Sequence, residues 1–340
     1  SVKDAVMASL DPVNNLPAAW PNTIYQTYAT DPAMNPMDAN YQWQHDVADT
    51  TYAWEEGYDG EGITVAVLDT GIRLGHEDLN PAKVHCTSHD KEELIEKWKW
   101  EYRGEEFDYD LSPDDLYVGH GTHVSGIIAA VADNGKGGAG IAPGVDLLSC
   151  NVFMADWGAS TDDIIEGIVW AQENGADIIN MSLGGIVYNG IFAKAVKNAY
   201  DNGVAVFCAA GNDNTATYQY PASYPGAVSI AALDKGLQKA YFSCYGSKIR
   251  YAFPGVDVYS TSNMYTDDYA GIYELATNGY CMNSGSSMAS PVGAGVAAVV
   301  LDYAEANGML KDLSGAAKVD KLLEIMDSAA VPVATKGLGK

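Results

Sequence analysis

The chain has 340 residues, with 45 acidic side chains against 19 basic ones and a formal net charge of -26. So acidic a surface excludes nucleic acid, which needs a basic face, and it excludes anionic membranes. It suits a dispersed, secreted or salt-exposed protein, and it attracts cationic substrates or calcium.

Residues 1–40, rich in Pro, Asn, Asp and Ala and without sustained periodicity, read as an extended N-terminal arm. Trp43, Val47, Tyr52 and Trp54 predict a helix within Tyr41–Tyr58. The apolar run Ile63–Asp69 predicts a buried strand that ends in Asp-Thr-Gly. Residues 83–117 are charged and aromatic, and they read as an insertion with a helical piece at Lys91–Trp100. Because this insertion must return beside His120, it either packs its aromatic rings onto the surface or shapes the rim of a site there.

Strands and helices then alternate. Val145–Val152, Asp177–Ser182, Val204–Ala209 and Ala227–Leu233 read as strands, and Thr161–Asn174 and Asn189–Asn202 as helices. Such alternation predicts an α/β fold, a doubly wound and mostly parallel sheet with helices on both faces. The near-continuous apolar strands agree, because parallel strands are covered on both sides. Two more helices are predicted, from Gly285 to about Ala306 and over Lys318–Ala330, and residues 41–340 form one domain.

Five cysteines are too few for a disulfide framework. Cys150 and Cys208, inside apolar strands, predict buried thiols, whereas Cys86, Cys244 and Cys281 occupy loop-like positions that leave room for one bridge. No uninterrupted apolar run reaches the roughly 18 residues that span a bilayer, so no membrane insertion is expected.

Three stretches carry chemistry. Val67-Leu68-Asp69-Thr70-Gly71 delivers a carboxylate to the C-terminal end of a strand, the edge where open α/β sheets bind ligands. Gly119-His120-Gly121-Thr122-His123-Val124 places a histidine at the head of a small-residue helix. Gly285-Ser286-Ser287-Met288-Ala289-Ser290-Pro291 places serines at the mouth of another, near the positive end of its dipole. Taken singly, each has a plainer explanation as a cap or a turn. Together they give acid, base and hydroxyl in the order Asp69, His120, Ser287, a set that can activate a serine as nucleophile.

With Ala209-Ala210-Gly211-Asn212 as a fourth motif, the chain resembles the subtilisin-like serine proteases, the subtilases, from about Gln42 to about Ala330. One departure is visible: Ser286 stands where the family usually has threonine. The resemblance implies a serine endopeptidase with Asp69, His120 and Ser287 as the triad and Asn212 in the oxyanion hole. It makes His123 structural rather than catalytic. It further implies that Ser182, Leu183 and Gly184 pair with substrate as an added strand, opposite Asp156, Trp157 and Gly158. Asp213 and Gln219 fall in the region that holds the residue before the scissile bond, and their polarity suggests a polar or basic residue there. Calcium is the cofactor implied, with Asp78, Asp133 and Asn134 as hard oxygen ligands.

The partners expected are protein or peptide substrates and the enzyme's own propeptide, part of which residues 1–40 would contain. The chain begins at Ser1 without methionine, which fits a processed product, and subtilases are typically exported, so an extracellular location is expected. Two alternatives stand against this: a non-catalytic binding protein on the same fold, and an α/β-hydrolase esterase. The second conflicts with the triad order and lacks Gly-x-Ser-x-Gly at Ser287.

Overall fold

A computed structural model of the chain describes residues 30–88, 115, 118–153, 158–263 and 279–333. A short 3-10 turn at Pro32–Met34 precedes helices α1 (Gln44–Ala48) and α2 (Thr50–Glu55). The single helix expected over 41–58 is broken at Asp49, which takes a left-handed conformation at φ 57° and serves as the end of one helix and the start of the next. There follow β1 (Thr64–Asp69), β2 (Val84–Ser88), α3 (His120–Ala129), β3 (Asp146–Asn151), α4 (Thr161–Glu173) and β4 (Ile178–Met181). Next come α5 (Gly190–Asp201), β5 (Ala205–Ala209), β6 (Ala227–Leu233), β7 (Ile249–Pro254), β8 (Val258–Thr261) and β9 (Tyr280–Asn283). Helices α6 (Ser286–Ala306) and α7 (Ala316–Ala329) close the chain.

Seven strands form one sheet in the order β2-β3-β1-β4-β5-β6-β7, every neighbouring pair parallel, and β8 and β9 form a separate antiparallel pair. Its central strands are buried along nearly their whole length, because helices cover both faces. One face packs Val124, Ile127, Val292, Val296 and Leu322 from α3, α6 and α7; the other packs Ile164, Ile168, Phe192 and Val196 from α4 and α5. Residues 84–88, expected at the start of the insertion, instead extend the sheet as its edge strand against β3. The predicted helical piece at 91–100 lies outside the described residues. All five cysteines are free thiols, so no bridge joins Cys86, Cys244 or Cys281.

Helix α6 is the spine of the molecule. It is 21 residues long, and by length and hydropathy it could cross a bilayer, yet 89% of its apolar window is buried inside the protein. Small residues let it sit close to the sheet: a Cβ at Gly293 would lie 3.0 Å from the Phe253 ring of β7.

The chain order reverses about β1, which lies between β3 and β4. A crevice therefore opens beyond the carboxyl ends of β1 and β4, the place where such sheets bind ligands.

Candidate active site

Register fixes the first two parts of the site. Val67 of β1 lies opposite Asn180 of β4, so two residues further on Asp69 and Ser182 emerge at the same end of the sheet, from neighbouring strands. Asp69 is almost fully buried, and its Oδ1 accepts from the Thr70 N–H at 2.8 Å and from His120 Nδ1 at 2.7 Å. That second bond fixes the tautomer of the ring and leaves Nε2 facing outward as the acceptor.

His120 begins α3, and two features press that helix against the end of β1. The Gly121 N–H donates to Thr70 Oγ1 at 2.8 Å, and a Cβ at Gly121 would lie 2.1 Å from the Gly71 carbonyl oxygen, so only glycine permits the approach. The start of α3 is held by Asp115, whose carboxylate accepts from the Gly119 N–H (2.9 Å), the Thr122 N–H (3.1 Å) and Thr122 Oγ1 (2.8 Å). These contacts satisfy donors at the helix start that would otherwise be orphaned, and they put negative charge at its positive end.

Burial alone would depress the pKa of His120. The charge and hydrogen bond of Asp69, and then the charge of Asp115, more than reverse this, and the net shift is upward from 6.5. His123 behaves oppositely. Its complete burial lowers its pKa to about 3, and Nε2 meets the Cys281 carbonyl at 3.2 Å, so it stays neutral and structural.

Ser287 lies in the first turn of α6, partly accessible. It is tied to β4 twice: its Oγ donates to the Ser182 carbonyl at 3.0 Å, and Ser182 Oγ donates to the Ser287 carbonyl at 2.7 Å. In this rotamer the hydroxyl faces Ser182 rather than the imidazole. The same junction is braced from beneath, where Asn180 Nδ2 donates to Ser182 Oγ at 3.0 Å and Asn180 Oδ1 accepts from Ser290 Oγ at 2.7 Å. Neither Asn180 nor Ser290 carries a local sequence signal that separates it from ordinary strand and helix residues.

Asn212 follows β5 through Gly211, which adopts φ 101° and where a Cβ would lie 3.0 Å from Gln219 and 3.2 Å from Cys244. Its side-chain oxygen is fully engaged, accepting from the Ser286 N–H at 2.8 Å and from Ser286 Oγ at 2.9 Å. Ser286 Oγ in turn accepts from the Gly211 N–H at 3.0 Å. The amide is thereby oriented with its Nδ2 outward, beside the start of α6, and the hydroxyl at position 286 does the orienting. Serine supplies it here as threonine would.

Of the remaining predicted positions, Ser182 is buried beside Ser287, Leu183 is partly buried and Gly184 is exposed. Asp213 is exposed, whereas Gln219 is buried with no hydrogen-bond partner for its Nε2. Gly158, at φ 86°, precedes Ala159, which bridges to Phe153, while Asp156 and Trp157 lie outside the described residues.

A second cluster lies at the far end of α3. Asp78 is fully buried; its Oδ1 accepts from Asn134 Nδ2 at 2.6 Å, and the Tyr280 hydroxyl and the Gly138 N–H also face its carboxylate. Burial, with the nearby charge of Asp31 adding to it, pushes the Asp78 carboxyl up to about 7 against the opposing hydrogen bond from Asn134. Asp31, not foreseen from the sequence, accepts from the N–H groups of Asp133, Asn134 and Gly135 at 2.7 to 2.9 Å. Asp133 itself is exposed and turned to the Thr30 N–H. Among the described residues no three Asp, Glu, His or Cys side chains converge as a ready metal cage.

The family model described as the subtilase family matches residues 60–324. The chain is 33% identical over 309 residues to a thermophilic serine proteinase of Bacillus sp. (strain AK1), covering 89% of this chain and 68% of that one. It is 35% identical over 248 residues to thermitase of Thermoactinomyces vulgaris, covering 73% and 77%. A solved protease structure from Pseudoalteromonas arctica superposes with a TM-score of 0.73 at 29% identity, over 92% of this chain and 96% of that one.

The electrostatics of the two histidines give a direct test. In an NMR titration His120 is expected to show an apparent pKa above 6.5, and Asp115→Asn to lower it, while His123 stays neutral throughout the range above pH 5. A His120 value below 6.5, or one unmoved by the substitution, contradicts the assignment of charges around the ring.

Proposed function

The chain belongs to the subtilase family and is a serine endopeptidase, and from that premise we propose that Asp69, His120, Ser287 and Asn212 carry out its chemistry. The observation that carries this reading is the 2.7 Å bond from His120 Nδ1 to the buried Asp69, at the same end of the sheet as the Ser182–Ser287 junction. Turning away from Ser182, the Ser287 hydroxyl gives its proton to His120 Nε2 as its oxygen bonds to the scissile carbonyl carbon. Negative charge then develops on the former carbonyl oxygen and is met by Asn212 Nδ2 and the Ser287 N–H. His120 passes its proton to the leaving nitrogen as the C–N bond breaks. Water repeats the sequence on the acyl-enzyme and frees the serine.

Ser182, Leu183 and Gly184 are assigned to one side of an extended peptide, and the likeness to the family assigns Asp156, Trp157 and Gly158 to the other. Asp213 at the surface and the unpartnered amide of Gln219 favour a polar residue before the scissile bond. Residues 41–340 are assigned to the catalytic domain, on which residues 31–33 of the expected arm are packed, with Asp31 and Ala33 buried, and the enzyme is assigned to the outside of the cell. A matching halolysin-like protease of Natrialba magadii is itself described as extracellular, and the net charge of -26 suits that setting.

Calcium is a proposed structural cofactor. The Asp78 carboxylate, buried beside the charge of Asp31, fits a hard cation, and Asn134 supplies a further oxygen if its amide is turned. Asp133 fits less well, because its carboxylate is at the surface. When bound, the ion would neutralise two close carboxylates and tie the arm to the loop after α3.

A fluorophosphonate serine probe tests the catalytic assignment. Labelling of the wild type, none of Ser287→Ala, and a fall of about 10²–10³-fold in turnover for Asn212→Ala are expected, the last being the magnitude seen for the corresponding asparagine of subtilisin. Labelling of Ser287→Ala equal to wild type contradicts it. For the metal, adding calcium at about 100 times its Kd is worth about 2.7 kcal/mol, so the melting temperature is expected to rise by several degrees. The rise should be larger at pH 8 than at pH 5, where Asp78 holds its proton, and it should vanish in Asp78→Ala. No rise in the wild type at millimolar calcium contradicts the site.

A further inference from the structure

The loop that carries Asn212 is exposed at its tip, so its placement depends on what it is tied to. Asn212, Asp213 and Asn214 are all exposed, and Asn214 takes a left-handed conformation at φ 48°. On one side the Ser286 N–H and hydroxyl hold the Asn212 amide oxygen. On the other, the loop lies against residues 239–245, in the connection from β6 to β7. Backbone bonds join the two segments. The Cys244 N–H donates to the Gly211 carbonyl at 3.0 Å, the Asn214 N–H to the Phe242 carbonyl at 2.7 Å, and the Tyr245 N–H to the Thr215 carbonyl at 3.0 Å.

An ammonium group sits at the centre of this junction. Lys239 Nζ donates to Asn214 Oδ1 at 2.8 Å, to the Ala240 carbonyl at 2.9 Å and to the Ser243 carbonyl at 3.1 Å. An ammonium has three N–H donors, so each is matched by one oxygen. The Tyr245 ring lies beside it, with Nζ 5.6 Å from the centroid. Among the described residues no carboxylate pairs with Lys239, although the chain carries 45 acidic side chains. Its charge is directed at neutral oxygens instead, and charge-assisted bonds of this kind are about twice as strong as neutral ones.

The connection is itself anchored to the sheet. The Ala240 N–H donates to the Ala232 carbonyl of β6 at 2.9 Å, and the fully buried Ser243 Oγ accepts from the Ala232 N–H at 2.9 Å. A line of contacts therefore runs from β6 through Ala240 and Ser243 to the ammonium, and from there to a residue two positions past Asn212.

We propose that Lys239 is a positioning residue for the oxyanion hole. Its ammonium serves as a built-in cation that fixes the Asn212 loop to the sheet, at the place where Asn212 Nδ2 meets the developing charge. Lys239 touches neither the substrate nor the reacting atoms. It acts by keeping the amide preorganised, and a displacement of about 1 Å in such a group costs up to about 10²-fold in rate. This inference rests on the assignment of Asn212 above, and the experiment separates the two.

Turnover of a peptide anilide is measured for the wild type, Lys239→Met, Asn212→Ala and the double variant. Methionine keeps an apolar stem and removes the charge and its donors. Lys239→Met is expected to lower kcat about 10-fold and to change KM less than about 2-fold, because the interaction it loosens is made only in the transition state. In the Asn212→Ala background the same substitution should change kcat less than about 2-fold, since no amide remains to be aimed. A structural role alone would give the same loss in both backgrounds. Asn214→Gly keeps the left-handed backbone available and removes the accepting oxygen, so it carries the same comparison if Lys239→Met does not fold. If Asn212→Ala turns over at the wild-type rate, the oxyanion assignment fails and takes this inference with it. If Asn212→Ala falls while Lys239→Met keeps the wild-type kcat, loses through KM alone or loses equally in both backgrounds, Asn212 stands and the role of Lys239 is overturned.

Discussion

The parallel pairing of β1 with β4 is the constraint from which the site follows. A slip of one residue between Val67 and Asn180 would turn Asp69 toward the opposite face of the sheet and separate it from Ser182. Burial on both faces holds the register, since every apolar side chain of the two strands would be displaced by such a slip. Stability of the core and alignment of the reacting groups thus have one cause.

Around that register the protein spends its buried polar groups on orientation. Asn180, Ser182 and Ser290 pin α6 to β4, Ser286 aims Asn212, and Asp115 seats the helix that begins with His120. A buried polar atom left unpaired costs about 1–3 kcal/mol, so each of these networks is also a penalty against misplacement. Where partners are missing, function is the natural place to look. Asp69 Oδ2 and Gln219 Nε2 are buried without a partner in the regions given a chemical role here, as are Ser149 Oγ and Gln44 Oε1 outside them.

Much of the fold was legible because its signals are local. Apolar runs gave the central strands to within a residue or two, and Asp-Thr-Gly, His-Gly-Thr-His and Gly-Ser-Ser-Met announced the site. What escaped has non-local causes. β7 mixes Arg250 with a terminal Pro254 and is only partly buried, and β8 and β9 are four residues each, stabilised by one another across the intervening chain. Val84–Ser88 looked like inserted material because an edge strand needs only one partner. Asp31 reaches donors about a hundred positions away, a distance at which no pattern in the sequence links them. Asp115 sits among several acids ahead of His120, and nothing in their order singles it out. The disulfide allowed for among Cys86, Cys244 and Cys281 failed because loop-like sequence context does not fix where a side chain ends up: Cys86 and Cys281 lie on strands.

The claim that these parts form one catalytic centre is tested most directly by a crystal structure of the enzyme after reaction with a peptidyl phosphonate. Phosphorus bonded to Ser287 Oγ is expected, with that oxygen released from the Ser182 carbonyl. A phosphonyl oxygen should lie within about 3.1 Å of both Asn212 Nδ2 and the Ser287 N–H. An adduct on another residue, or one on Ser287 whose oxygen points away from Asn212, would contradict the account.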